Sequence, residues 1–390
     1  MKSVLLRAPL LSQSGYGTHA RQVARWLFEK ADKNNNLDVT TELLNWGGTP
    51  WHVDVYAQND LIGRCFQASS NVKELYDVTI QLQLPNEWCP ELGKYNIGMT
   101  AGVEADRCNP AWIEPINKMN LVLVPSKFTK EVLESSGKIT TKIVVVPESF
   151  PDEVLDINNI EPLDFKTETK FNFLVFGQIT GGDAATDRKN LPFTLKWLCE
   201  VFQNNPDVGI ILKTNMGRYT PADKFLCTQS MTQLMQGLNK QAFPKFYLLH
   251  GDMSEKEVVG LYKHPTVKAL VTLTHGEGFG LPILEAASCD LPVIASGWSA
   301  HTEFLNLGKY IKVDTSTGEI PPGRVDNQIW MAGSKWGMPD EADFKKRVLR
   351  FYEESFVPKT WAKELGKKIR TSYSFPAISK VYSEVLEHII

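Results

Sequence analysis

The sequence predicts an α/β protein made of two parallel-sheet domains, and three observations carry that expectation. Short apolar, β-branched runs alternate with helix-period segments from end to end, and strands alternating with helices build parallel sheets covered on both faces. The chain has 390 residues, long for one core and comfortable for two. A stretch at 148–170, rich in Pro, Asp, Glu and Asn and without sustained period, divides the alternation and reads as the crossing between domains.

Strands are expected in the first half at residues 4–6, 39–44, 78–82, 96–100, 121–124 and 143–146. In the second half they are expected at 171–176, 209–212, 246–249, 269–273, 293–295 and 310–313. Between them, Ala20, Val23, Ala24 and Leu27 recur at helical spacing and give one apolar face. Ser126 is placed to cap a helix that Gly137 ends, and Ser254 with Glu257 forms a capping box ahead of Val258. The tail from Ser374 carries Ile378, Val381, Tyr382, Val385 and Ile389, an apolar stripe on a final helix that needs a partner surface. The expected domains are therefore 1–160 plus 374–390, and 161–373, with the last helix crossing back to the first domain.

Composition excludes several classes. Hydrophobic content of 43% and charged content of 22% are those of a soluble globular protein. Net charge is −3, and residues 1–160 hold 15 Lys/Arg against 19 Asp/Glu, so a non-specific grip on nucleic acid or anionic lipid is not indicated. The six cysteines are scattered without C-x-x-C spacing or a His cluster, which points to reduced thiols rather than disulfides or zinc. No run of about 18 apolar residues or signal-peptide pattern occurs, so no transmembrane segment is expected and the cytoplasm is the default compartment.

The densest chemical signal is residues 274–296, THGEGFGLPILEAASCDLPVIAS. An expected strand feeds the loop Gly276-Glu277-Gly278-Phe279-Gly280, Pro282 stands where a first helical position should be, and Glu285 follows about one turn in. Glycines allow close backbone approach to a ligand, and a helix N-terminus offers N–H groups to anionic oxygens. Glu277 and Glu285 at the carboxyl end of a strand suit a polyhydroxylated ligand, since each carboxylate accepts hydroxyl hydrogen bonds. An isolated E-G-x-G loop is equally a plain turn; the full string is more specific.

That string resembles the E-x7-E signature of the retaining GT-B glycosyltransferases of family 4. The resemblance extends along most of the chain and is weakest at 45–75 and 314–335. It implies two facing Rossmann-like domains with a nucleotide sugar in the cleft between them. It implies that Glu277 contacts the transferred sugar and Glu285 the nucleotide ribose, and that the backbone of Gly278, Phe279, Gly280 and Leu281 holds sugar hydroxyls. Phe176-Gly177-Gln178, then Asp187-Arg188-Lys189-Asn190, resembles the segments whose Arg and Lys bind donor phosphates. Lys189 matches, Arg188 stands beside it, Gln178 replaces the usual Arg, and the loop at 179–186 is longer than usual. Lys213, at the end of its strand, is a second phosphate candidate. Gly15 and Gly17, in a loop expected between the first strand and its helix, occupy the place of a glycine loop touching donor phosphate and acceptor. The stretch with His301 and Glu303 is expected beside the nucleotide. Glu104 and Asp106 either face the acceptor or are solvated, and His19 and His52 are expected to be structural or solvated.

The resulting expectation is a hexosyl- or pentosyltransferase that retains anomeric configuration, needs no metal or cofactor, and takes a UDP- or GDP-sugar ahead of an ADP-sugar. The acceptor is expected to be a glycan or small molecule, with a lipid or modified nucleobase kept open. Two alternatives stand beside it. Gly15-Tyr16-Gly17-Thr18-His19-Ala20 also fits G-x-G-x-x-A, the loop of NAD-dependent oxidoreductases, although the second strand runs into Asn45-Trp46 where an acid is wanted. The other is a nucleotide-sugar-binding protein without transfer activity.

Overall fold

The structure is a computed structural model and describes residues 1–34, 36–178, 183–238 and 244–390. Residues 179–182 of the long loop expected at 179–186 lie outside the described residues. The chain divides into two compact units: residues 1–103, 107–149 and 375–390 form one, and 104–106 with 150–374 form the other.

The first unit carries strands β1 (Lys2–Ala8), β2 (Leu37–Leu43), β3 (Tyr76–Leu82), β4 (Gly93–Met99), β5 (Leu121–Val124) and β6 (Ile143–Val145). Its helices are α1 (Gly15–Lys33), α2 (Leu61–Ala68), α3 (Ile113–Lys118) and α4 (Lys127–Ser136). The strands form one parallel sheet in the order β2-β1-β3-β4-β5-β6. Leu121, Val122, Leu123 and Val124 are all buried, the mark of a strand covered on both faces.

In the second unit β7 (Phe171–Phe176), β8 (Val208–Thr214), β9 (Lys245–His250), β10 (Val267–Thr272), β11 (Val293–Ser296) and β12 (Ile311–Val313) form the parallel sheet β12-β11-β10-β7-β8-β9. Helices α5 (Leu191–Phe202), α6 (Pro221–Leu238), α7 (Glu255–Tyr262), α8 (Leu281–Ser288), α9 (His301–Leu305), α10 (Glu341–Glu353) and α11 (Phe356–Ser372) accompany it. All twelve expected strands are present. Strands β13 (Thr315–Glu319) and β14 (Lys335–Pro339) form an additional antiparallel hairpin that the periodicity did not announce.

The sheet orders give each sheet a topological switch point. In each sheet the chain starts on an interior strand, builds to one side, then returns to build on the other. The switch lies between β1 and β3 in the first unit and between β7 and β10 in the second, and the crevice at the carboxyl ends there is where open α/β sheets hold ligands.

Capping works as the residue types dictate. The Ser126 side chain accepts from Thr129 N–H, and Ser254 with Glu257 closes a complete capping box on α7. Two corrections follow from local backbone. Residues 15–18 are not a loop: Ser14 caps α1, its side chain accepts from Gly17 N–H, and both glycines lie in the first helical turn. Pro282 is the second residue of α8 rather than the first, because Gly280 (φ +103°) turns the chain in the left-handed region and starts the helix at Leu281.

The last helix, α12 (Phe375–Leu386), belongs to the first unit. Its buried side chains are Phe375, Ile378, Tyr382 and Leu386, with Val381, Val385 and Ile389 on the flanks of that stripe. Tyr382 hydroxyl and His19 Nε2 are 3.0 Å apart, Trp26 donates to Ser383 over 3.1 Å, and the Arg25 guanidinium lies 3.7 Å from the Phe375 ring centroid. His19 is thus a packed residue, and burial pushes its imidazole down to about 3. Residues 150–160, read from the sequence as part of the crossing, pack into the second unit through Phe150, Val154 and Ile160.

Candidate functional site

The site is built where β7 and β10 end. The turn Asp187-Arg188-Lys189-Asn190 is fixed by its own residues. Asp187 accepts the Leu191 N–H through its carboxylate (2.8 Å) and the Asn190 N–H through its carbonyl (2.8 Å). Asn190 sits at φ +54°, which asparagine tolerates better than most residues, and its amide donates to the Leu273 carbonyl at 3.1 Å. The turn is thereby tied to the end of β10, and His275 N–H donates to the Arg188 carbonyl at 2.9 Å.

The glycine loop is held as closely. A Cβ on Gly276 would stand 2.1 Å from the Glu104 carbonyl oxygen, so only glycine fits. The Gly276 carbonyl accepts from Arg188 Nη1 (2.8 Å) and Thr274 Oγ1 (3.1 Å). Glu277 N–H donates to Ser299 Oγ at 3.0 Å, and the Glu277 carbonyl accepts from Ala300 N–H at 3.3 Å.

These constraints converge on a four-membered charge cluster. Lys189 Nζ is 2.7 Å from Glu277 Oε1, Arg188 Nη1 is 3.4 Å from Glu277 Oε2, and Arg188 Nε is 2.7 Å from Glu104 Oε2. Glu277 is 6% exposed. Burial alone would push its carboxyl up, but Lys189 and Arg188 outweigh that and hold it down at about 2. Glu277 is therefore an anion at any working pH. Burial pulls the Lys189 ammonium below its ordinary value, with Glu277 opposing.

Glu285 lies half-buried on α8 in a separate setting. Its Oε2 accepts from the Tyr262 hydroxyl at 3.2 Å, and that hydroxyl is also 3.2 Å from the Pro282 carbonyl. Burial, with the charge of Glu255 adding, pushes its carboxyl up to about 8 although Tyr262 opposes the shift. An acid raised in this way keeps in the folded state a proton that the unfolded chain has already lost. Its contribution is complete below the ordinary glutamate range and is lost as pH rises towards about 8. The melting temperature without ligand should therefore fall from about pH 5 to about pH 8, and Glu285→Gln should flatten that slope. An equal slope in both proteins, measured by calorimetry, would contradict this environment.

Lys213 lies beside Phe176 in the strand register and is 3% exposed. Its ammonium donates to Asn215 Oδ1 (2.8 Å) and to the Gly251 carbonyl, and burial brings it down to about 8. It is thus engaged with the β8 and β9 loops, apart from the Lys189 cluster. Phe279 and Leu281 bury their side chains in the core, Phe279 against Phe304 and Tyr373. His301 is buried, with Nε2 2.8 Å from the Ser296 carbonyl.

In the first unit, Gly17 has a packing reason: a Cβ there would meet the Ser12 carbonyl oxygen at 1.8 Å. Glu42, the acid of β2, is paired with Arg7 at 3.0 Å. Gly17 of the G-x-G-x-x-A string is thereby accounted for by packing, and Glu42 is engaged by Arg7.

Sequence reasoning missed three parts of this arrangement. Tyr262 reaches Glu285 across 23 residues, and Ser299 anchors Glu277 across 22. The β13–β14 hairpin presses Trp336 flat on His275, with ring centroids 4.3 Å apart, and Gly337 N–H donates to the His275 carbonyl at 2.8 Å. A Trp following a loop of Pro and Gly was the available signal. Among the described residues no group of three or more His, Cys, Asp or Glu could hold a metal ion, and no helix is long and apolar enough to cross a membrane.

No family model matches the chain. The "Probable sucrose-phosphate synthase" of Thermosipho melanesiensis is 29% identical over 184 residues, a stretch that is 46% of this chain and 38% of that protein. Among solved structures, the sucrose-phosphate synthase of Thermosynechococcus elongatus superposes with a TM-score of 0.64 at 10% identity, over 100% of this chain and 99% of that one. HepE of Anabaena, solved with UDP and glucose, gives 0.59 at 12% identity, over 100% of both chains. The trehalose-6-phosphate synthase OtsA gives 0.54 at 10% identity, over 76% of this chain and 67% of that one. At such identities the likeness carries architecture: the chain has the GT-B fold, with a Rossmann-like parallel sheet in each of its two units.

Proposed function

We propose that this chain is a family 4 glycosyltransferase that moves a hexosyl or pentosyl group from a nucleoside diphosphate sugar to an acceptor hydroxyl, with retention. The observation that carries the reading is the Lys189–Glu277 pair, a cation and a carboxylate 2.7 Å apart at the switch point of the second sheet. Lys189 has three N–H donors, so it can keep Glu277 and still take a phosphate oxygen. Glu277 then accepts sugar hydroxyls and favours the positive charge that grows on the sugar ring. Arg188, bound to Glu104, Glu277 and the Gly276 carbonyl, holds the loop in shape and lends its charge to the same place.

In the reaction, the bond between the anomeric carbon and the terminal phosphate oxygen breaks and its electron pair leaves with the diphosphate. The acceptor oxygen bonds to the same carbon, and its proton passes to the departing phosphate. Lys189, Arg188 and the first turn of α8 stabilise the charge on the leaving group. Lys213 is a second cation on the diphosphate side, and Glu285 takes the ribose hydroxyls. The role given to Gly15 and Gly17 is backbone contact at the start of α1. Because these charges come from the chain itself, the reading needs no metal. Relatives named as sugar-phosphate synthases and the UDP complex of HepE favour a UDP-sugar over a GDP-sugar.

Thermal-shift measurements against UDP-, GDP- and ADP-sugars test this. A saturating donor at about 100 Kd adds roughly 2.7 kcal/mol, so one donor class should raise the melting temperature by several degrees. No shift with any nucleotide sugar would overturn the reading.

A further inference from the structure

The switch point of the first unit carries a second constellation, of which the transfer chemistry above uses only the backbone of Gly15 and Gly17. The loop after β1, the first turn of α1, the loop after β2 and the loop after β4 meet there. Tyr16 and Trp46 stack with ring centroids 4.2 Å apart and 21° between planes. The Tyr16 hydroxyl is 3.0 Å from Thr100 Oγ1 and accepts the Ala101 N–H at 3.0 Å, which locks the pair to the end of β4. The loop after β2 is laced to the loop after β1. Gln13 N–H donates to the Pro50 carbonyl (3.0 Å), His52 N–H donates to the Leu11 carbonyl (2.8 Å), and the Ser12 and Thr49 hydroxyls meet at 2.6 Å. The aromatic pair is thus held rigidly while Trp46 remains only half-buried.

Two further features mark the place as built for a ligand. A Cβ on Gly15 or on Gly48 would meet nothing within 4 Å, and neither residue has a left-handed φ, so the protein itself does not require glycine at either position. Bare backbone in open space beside a stacked aromatic pair leaves room for a ring to approach closely. Two nearby cations are engaged within the protein. Arg7 is bound to Glu42, Gln83 and the Glu87 carbonyl, and Arg21 to the carbonyls of Leu10 and Ser12 and to Thr18.

We propose that Tyr16 and Trp46 form the acceptor platform, and that the acceptor is a neutral ring sugar, free or at the end of a glycan. A pyranose has one face of C–H bonds and an edge of hydroxyls. The face packs on the half-exposed indole, and the hydroxyls meet the hydroxyl and backbone groups of the surrounding loops. Arg7 and Arg21 are bound internally, so neither offers its charge to a sugar phosphate, and a neutral sugar is favoured. The proposal rests on the glycosyltransferase reading only for the word acceptor. The ring-sugar site is testable without any donor.

The experiment is saturation-transfer NMR on the full chain, without nucleotide. The probes are the methyl α-glycosides of glucose, galactose and mannose, their 6-phosphates, and the nucleosides adenosine and thymidine. At least one neutral glycoside should receive saturation from wild type and from Trp51→Ala, an exposed neighbouring indole outside the stack. Trp46→Ala should weaken binding about fivefold or more, the scale of losing one aromatic partner, and Trp46→Phe should keep most of it. If Trp46→Ala does not fold, Trp46→Leu against Trp46→Phe makes the same comparison. Binding unchanged in Trp46→Ala or Trp46→Leu would overturn the proposal. So would stronger binding of the 6-phosphates, transfer to nucleosides alone, or no transfer to any glycoside. A donor thermal shift with no glycoside binding refutes this site and leaves the transferase reading intact; the reverse pattern refutes that reading and leaves this site.

Discussion

Lys189→Ala is expected to lower turnover by about two to three powers of ten, the scale of removing one preorganised stabiliser of developing charge. The ammonium stands 2.7 Å from Glu277, on a turn fixed by Asp187 and Asn190, so its position costs little reorganisation when the donor binds. Alanine leaves the turn's own hydrogen bonds intact but takes the nearer of two cations from buried Glu277, so the melting temperature should fall, by less than in Glu277→Ala because Arg188 remains. Turnover, read as nucleotide release, should be insensitive to EDTA in wild type and variant alike. Activity abolished by EDTA and restored by Mg²⁺ or Mn²⁺ would overturn the assignment of charge stabilisation to the chain's own cations. A Lys189→Ala rate within about threefold of wild type would remove Lys189 from that role.

Glu277→Ala is expected to damage stability and turnover together. The carboxylate lies between Lys189 and Arg188, both mostly buried, and its loss leaves their charges facing each other with Glu104 as the remaining counter-ion. Breaking a buried pair by removing one partner costs about 3–5 kcal/mol, a large share of the margin of an ordinary domain. Because Lys189 keeps some solvent contact, the lower end of that range is expected. Glu277→Gln keeps the shape and the hydroxyl-accepting oxygen but not the charge. It should recover part of the lost melting temperature and little of the turnover. Full recovery of turnover in Glu277→Gln would mean that the charge of Glu277 plays no part in transfer.

Much of this arrangement was legible in the sequence, and the parts that were not share a physical cause. The strands were readable because their runs are buried on both faces, as Leu121–Val124 is. The hairpin β13–β14 was not. Thr315–Glu319 is polar and mostly exposed, and fifteen residues with Pro321, Pro322 and Gly333 separate it from its partner, so neither periodicity nor a tight-turn signature marks it. Glu277, Lys189 and Arg188 were each nameable from the motifs they stand in. That Glu277 and Lys189 pair across 88 residues is a property of the β7–β10 adjacency, which no local pattern encodes.

Arg188 shows the same limit from the other side. Its place in the motif implied a phosphate contact, and its engagement with two carboxylates and a carbonyl is a further property that no local pattern announced. Glu104, weighed equally as a solvated loop residue, became part of the cluster because the absent side chain of Gly276 lets the two backbones touch. Glu285 was found by spacing, but its partner Tyr262, and therefore its raised carboxyl, depended on the packing of α7 against α8.

Isothermal titration of UDP and GDP into the wild-type chain and into Lys189→Ala tests the central claim most directly, because it reads diphosphate binding at the second sheet without an acceptor. The account predicts one site per chain for one of the two nucleotides and an affinity about tenfold or more weaker in Lys189→Ala, as expected for losing a charge-assisted contact of about 1.5–3 kcal/mol. Equal affinity in the two proteins, or no binding of either nucleotide to the wild type, would contradict it.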